Sequence, residues 1–230
     1  MRFVEHQFDP VRESLRNLKW DGVRRLRTWL SRYLGAEDTP LNRAIGMKTM
    51  VAAVRRVNEP GCKFDYVPVL EGAQGTGKST ALKILAGEDE FFSDQDLVHL
   101  DAKAQQEALR GKWIYEIAEL SGLSRTESER TKAFLSRTHD RARRAYGYAS
   151  IDQPRRCIFI GTTNDNNYLK DPTGNRRFWP VATGRIDLDA LAADRDQLWA
   201  EAVIADAAGE TLYLPLRTPR QRCGRTGGTS

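Results

Sequence analysis

The eight residues Gly72-Ala73-Gln74-Gly75-Thr76-Gly77-Lys78-Ser79 constrain this chain more than any other stretch. They match GxxxxGK[ST] at every fixed position, with a β-like run before them (Phe64 to Leu70) and a helical run after them (Ser79 to Ala86). In a strand–loop–helix context such a loop cradles phosphate. Glycines let backbone amides approach the oxygens, and the helix presents its positive end to the anion. Lys78 reaches the β and γ phosphates as a point charge, and the Ser79 hydroxyl is a ligand for Mg²⁺. Gly72, Gly75, Thr76, Gly77, Lys78, Ser79 and Thr80 are therefore the candidate nucleotide-binding residues, with ATP and Mg²⁺ as the expected cofactors.

A strand that ends in a phosphate loop needs neighbours. Lys112 to Ile117, Cys157 to Thr163 and Arg177 to Ala182 read as further strands. Helical patterns at Ala102 to Leu109, Ser124 to Ser136 (with Ser124 as a candidate N-cap) and Leu188 to Ala207 alternate with them. That alternation predicts an α/β fold, a mainly parallel sheet flanked by helices. Before it, residues 9 to 58 carry helical periodicity, broken at Trp20-Asp21-Gly22 and at Gly35 to Pro40. The expected organisation is an N-terminal helical subdomain (1–62), a P-loop core (63–214) and a disordered basic tail (215–230).

Hydrolysis needs an acid at the end of a neighbouring strand. Trp113-Ile114-Tyr115-Glu116-Ile117-Ala118-Glu119 supplies Glu116 and Glu119, either of which could face the metal while the other orients water. The third strand candidate ends in Thr162-Thr163-Asn164, which places Asn164 where open α/β sheets bind ligands. Arg176 and Arg177 follow the turn signals of Asp171 to Asn175, and an arginine there could stabilise phosphoryl charge, including across a subunit interface.

The net charge is only +5, but its placement is uneven. Residues 121–156 hold nine basic against four acidic side chains, and the tail after Leu216 adds four arginines and no acid. A segment so biased suggests a polyanion-facing surface, with Lys132, Arg137, Arg141, Arg143 and Arg144 as candidate DNA contacts. Phe134, Tyr146 and Tyr148 are available there for base stacking. Three dispersed cysteines without a CxxC argue against a disulfide framework or a cysteine zinc site. No apolar run approaches the roughly 18 residues of a membrane span, and the N-terminus lacks an apolar signal core, so a cytoplasmic protein is expected.

Taken in order, these motifs resemble the virulence-associated E family of phage and prophage proteins, a relative of superfamily 3 helicases and of the helicase part of phage primase–helicases. The matching stretches include Leu18 to Gly22, Glu59 to Lys63, the phosphate loop, Trp113 to Leu120, Lys132 to Arg137, Gly161 to Asn164 and Gly174 to Pro180. The resemblance implies an AAA+-like P-loop NTPase fold. It implies that Gly72 to Ser79 is the Walker A loop, Glu116 (alone or with Glu119) the Walker B acid, and Asn164 the sensor. It further implies that Lys132 to Arg144 faces a DNA channel, and that Arg176 or Arg177 is a finger acting on a neighbour's ATP. The implied activity is an ATP-driven helicase or translocase, a hexameric ring on single-stranded DNA in the bacterial host cell. Primer synthesis or origin recognition would come from a separate primase or other phage replication protein. An ATP-switched adaptor or loader without unwinding activity is the competing class. A small-molecule kinase leaves the basic segment unexplained, and a GTPase lacks its NKxD motif.

Overall fold

A computed structural model describes residues 9–97, 99–118, 125–143, 150–164 and 175–214. Helix α1 (Pro10–Asn17) starts where Asp9 accepts from the amides of Val11 (3.1 Å) and Arg12 (3.3 Å), with proline in the first turn. Helix α2 (Trp29–Leu34) stops at Gly35, whose φ of 63° is the left-handed C-cap. Helix α3 (Pro40–Asn58) repeats the start of α1, with Thr39 accepting from Asn42 N and proline first. The break between α1 and α2 is longer than the Trp20-Asp21-Gly22 interruption suggests, running from Leu18 to Thr28.

The remaining elements are β1 (Val67–Glu71), α4 (Lys78–Ala86), β2 (Phe92–Ser93), α5 (Ala102–Leu109), β3 (Ile114–Ile117), α6 (Arg125–Leu135), β4 (His139–Arg143), β5 (Ser150–Pro154), β6 (Ile158–Thr163), β7 (Phe178–Ala182) and α7 (Leu188–Ala207). Five strands form one sheet in the order β2-β3-β6-β1-β7, and every pairing in it is parallel. The expected α/β architecture is what the chain adopts. Strand β1 sits inside the sheet although it comes first, because the chain leaves it for the far edge and returns on both its sides. That reversal opens a crevice at the carboxyl ends of the strands.

Alternation along the strands sends side chains to two apolar layers. Leu70, Ile114, Ile158, Ile160 and Val181 pack with α3, α4 and α7, while Val69, Tyr115, Phe159 and Phe178 pack with Leu109, Phe134 and Leu135 of α5 and α6. Trp113 and Trp199 meet at 4.2 Å in the first layer, and their indole N–H groups donate to Ala53 O and Leu85 O. The N-terminal helices share that layer with α4, α7 and the sheet, so packing runs straight across residue 62. Among the described residues, no helix is long and apolar enough to cross a membrane.

Strands β4 and β5 form a separate antiparallel pair that no sequence pattern announces. Its base is tied down by a buried ion pair. Arg155 Nε and Nη2 donate to the two oxygens of Asp140 at 2.6 and 2.7 Å, and Nη1 donates to Phe134 O at 2.6 Å. The guanidinium lies 4.2 Å from the Phe134 ring centroid and 5.4 Å from that of Phe159. Both charged groups are almost fully buried. Asp140→Ala would leave the guanidinium without its counter-charge, so a loss of about 3–5 kcal/mol is expected in denaturant unfolding. Arg141→Ala, which removes an exposed pair to Asp152 (3.6 Å), is expected to cost less than about 1 kcal/mol.

Candidate functional site: a phosphate loop backed by a buried carboxylate

Strand β1 delivers the chain to Gly72, whose amide donates to Thr163 O on β6. A Cβ at Gly72 would lie 2.5 Å from Thr183 Oγ1, so only glycine fits between the sheet and the segment after β7. Gly77 has φ 91° and is the N-cap of α4, with no side chain bonded to the helix's first amides. The loop therefore ends in N–H groups without side-chain caps at a positive helix end, which suits a phosphate.

Lys78 is buried, and its ammonium donates to Gly72 O (2.7 Å) and Ala73 O (2.8 Å). It also lies 3.4 Å from Asn164 Oδ1, past the end of β6. Burial pushes its pKa below the usual lysine value, and the nearby Glu116 carboxylate opposes that shift.

Glu116 projects from β3 to the same place and is only 2% exposed. Its Oε1 accepts from Ser79 Oγ at 2.8 Å and from Thr162 Oγ1 at 2.5 Å. Its Oε2 is buried with no hydrogen-bond partner among the described residues. An orphaned carboxylate oxygen beside a serine hydroxyl is a costly arrangement that a hard cation would relieve. Carboxylate and hydroxyl oxygens are the donors Mg²⁺ takes, so Ser79 and Glu116 fit that ion. A cavity of about 350 Å³ opens here, lined by Gln74 to Thr80, Glu116, Ala118, Thr162, Thr163 and Asn164.

The other sequence candidates fall elsewhere. Glu119 lies outside the described residues, as do Arg144, Tyr146, Tyr148 and Ser124. Arg176 and Arg177 occupy a short 3-10 turn (Asn175–Arg177) at the start of β7. Arg177 Nε donates to Asp65 Oδ2 at 3.2 Å, whereas Arg176 is exposed with no hydrogen bond or ion pair among the described residues. Because β7 runs parallel to β1 (Val67 beside Phe178, Glu71 beside Ala182), both arginines sit at the amino-end rim, opposite the chain's own phosphate loop. Five strand residues separate the two rims, roughly 16 Å at about 3.3 Å per residue.

The basic segment needs correction. Lys132 is not a surface cation, because it is buried and paired with Glu129 at 2.9 Å. Phe134 is not available for stacking on bases, because it is buried under the Arg155 guanidinium. Arg156 is drawn to Asp9. Among the described side chains the exposed cations that remain here are Arg130, Arg137 and Arg141, with Arg143 on the same strand as Arg141. Arg137 also donates to Gln105 Oε1 at 3.2 Å. Thr162, which holds Glu116, is a site residue that the motifs do not include. Its one signal in the sequence is a pair of threonines closing an otherwise apolar strand.

The chain matches the family model of the virulence-associated protein E-like domain over residues 15–223. No curated protein matches it. Among solved structures, the A form of the apo C-terminal region of NrS-1 aligns with a TM-score of 0.57 at 15% identity, over 82% of this chain and 47% of that one. A second apo structure of the same region (residues 305–718) gives 0.56 at 16% identity, over 81% and 47%. This chain thus spans about half the length of those structures, and at such identities the likeness is one of fold. By the match of the family model across nearly all of its length, the chain belongs to the virulence-associated protein E-like family.

Proposed function

We propose that the chain is an ATP-hydrolysing motor of phage or mobile-element replication, a superfamily 3-like helicase or translocase acting on single-stranded DNA. The observation that carries this reading is the buried Glu116 carboxylate, held by Ser79 and Thr162 directly behind the phosphate loop, with one oxygen left without a partner among the described residues. A loop that only grips phosphate has no need of it. In this reading the loop amides and Lys78 bind the triphosphate, exchanging the carbonyls of Gly72 and Ala73 for phosphate oxygens. Ser79 and Glu116 would hold Mg²⁺, whose chemistry is to offset the negative charge of the triphosphate. Asn164 stands at the γ end. Water attacks the γ-phosphorus, the bond to the bridging oxygen breaks, and a carboxylate takes the water's proton, with Glu119 proposed for that role beside Glu116.

Arg176 and Arg177 lie too far from the chain's own loop to reach it. They are proposed to act on the triphosphate of a neighbouring copy, in a homo-oligomer assembled as a hexameric ring. Arg141 and Arg143 of the β4–β5 pair, together with Arg144, are proposed as the DNA contacts, and a primase or other phage replication protein as a partner. The proposed place of action is the cytoplasm of the bacterial host.

ATP turnover is expected to rise when single-stranded DNA is added, and a tailed duplex is expected to be unwound. Neutralising Arg141, Arg143 and Arg144 together is expected to weaken DNA binding and to lower the salt slope by about 2, at roughly 0.7 for each single-strand phosphate that the variant no longer neutralises. A chain that binds ATP and DNA but neither speeds up nor displaces a strand would be the ATP-switched adaptor instead.

A further inference from the structure

Arg185 belongs to no motif, yet the residues on either side of it touch the phosphate loop. Its side chain is exposed and makes no hydrogen bond or ion pair among the described residues. The segment that carries it brackets the phosphate loop. Thr183, two residues before, occupies the space a Cβ on Gly72 would need, and Thr183 Oγ1 donates to Glu71 O at 2.8 Å. Leu188, three residues after, lies 3.4 Å from where a Cβ on Gly77 would be.

The backbone around Arg185 is also fixed from behind. Gly184 N donates to Leu34 O at 3.0 Å and Asp187 N donates to Tyr33 O at 2.8 Å. A Cβ on Gly35 would come within 2.7 Å of both Arg185 N and Arg185 O. The end of α2 thus clamps an arginine-bearing segment against the rim of the site. An exposed loop with no purpose does not require such close backbone packing.

The side on which Arg185 lies tells which part of a nucleotide it meets. Glu116 on β3 and Asn164 after β6 stand on one side of β1. The metal and γ-phosphate end of a bound triphosphate therefore points that way. Strand β7 and the segment leading into α7 flank β1 on the other side, which is where the sugar and base of a triphosphate so oriented would emerge. The local charge agrees. Asp187 and Asp189 are exposed next to Arg185, and Asp187 already caps α7 by accepting from Ala190 N at 3.0 Å. Two carboxylates oppose a bare phosphate, but they leave the flat face of a guanidinium free to stack on a purine ring.

We propose that Arg185 binds the nucleoside end of the nucleotide, its guanidinium plane lying on the base. The proposal rests on the nucleotide reading of the phosphate loop. The test is calorimetric titration of the 230-residue chain with Mg²⁺-ATP, for the wild type and for Arg185→Ala and Arg185→Lys, with unliganded thermal midpoints measured in parallel. The alanine variant is expected to bind ATP roughly tenfold more weakly at an unchanged midpoint, and the lysine variant to recover little, because an ammonium has no plane to stack. ATP affinity within twofold of wild type in Arg185→Ala would overturn the proposal, and so would full recovery in Arg185→Lys, which would make the contact a simple charge on phosphate. Wild-type protein that binds no ATP would instead defeat the nucleotide reading itself, a failure visible before either variant is compared.

Discussion

Arg176→Ala is expected to lower ATP turnover by about a thousandfold or more while leaving ATP affinity unchanged, the pattern of a residue that touches only the charge developing on a transferring phosphoryl group. The reason lies in the parallel sheet. Arg176 stands at the amino-end rim, a full strand length from its own phosphate loop, and so out of reach of its own chain's site. Arg177→Ala is expected to have a smaller effect, because Asp65 already engages that guanidinium at 3.2 Å and holds it to the amino end of β1. Turnover and equilibrium binding, measured on both single variants, decide the matter. Unchanged turnover in both would remove the arginines from the chemistry altogether.

Lys78→Ala carries the second large effect. Its ammonium is buried among Gly72 O, Ala73 O and Asn164 Oδ1, already aimed at the space a triphosphate would fill. The substitution removes a cation from a shielded site where charge counts for more than in water, so turnover is expected to fall by about 10²- to 10³-fold. Nucleotide affinity should fall with it, unlike in Arg176→Ala. The two variants are also expected to complement each other. A Lys78→Ala chain keeps its arginines, and an Arg176→Ala chain keeps its phosphate loop. Mixing the two inactive proteins is therefore expected to restore part of the turnover, whereas sites complete within one chain would stay silent in the mixture.

Much of the fold is legible in the sequence because its signals are local. The helical pattern at Ala102 to Leu109 is α5 to the residue, and the apolar runs at β3 and β6 start within two residues of the strands themselves. The phosphate loop announces itself through glycines whose spacing has a steric cause. The features without a sequence signal are non-local or unpatterned. Strand β2 is two residues long, and β4 and β5 (His-Asp-Arg-Ala-Arg and Ser-Ile-Asp-Gln-Pro) have no alternation of apolar and polar side chains. Charge misleads for a related reason. Lys132, Arg155 and Arg156 look like surface cations in the sequence, but each has an acid waiting in the fold: Glu129, Asp140 and Asp9. The Glu116–Thr162 contact joins residues 46 apart, and no local pattern encodes it.

The Asp140–Arg155 pair has a mechanical consequence. A hinge at the foot of the β4–β5 arm would have to pull a guanidinium off a carboxylate, a carbonyl and two aromatic rings at once, exposing nothing useful in exchange. The base of the arm is thus held in one piece with the strand that ends beside Lys78. Any movement of that strand would therefore carry the described part of the arm with it as one body.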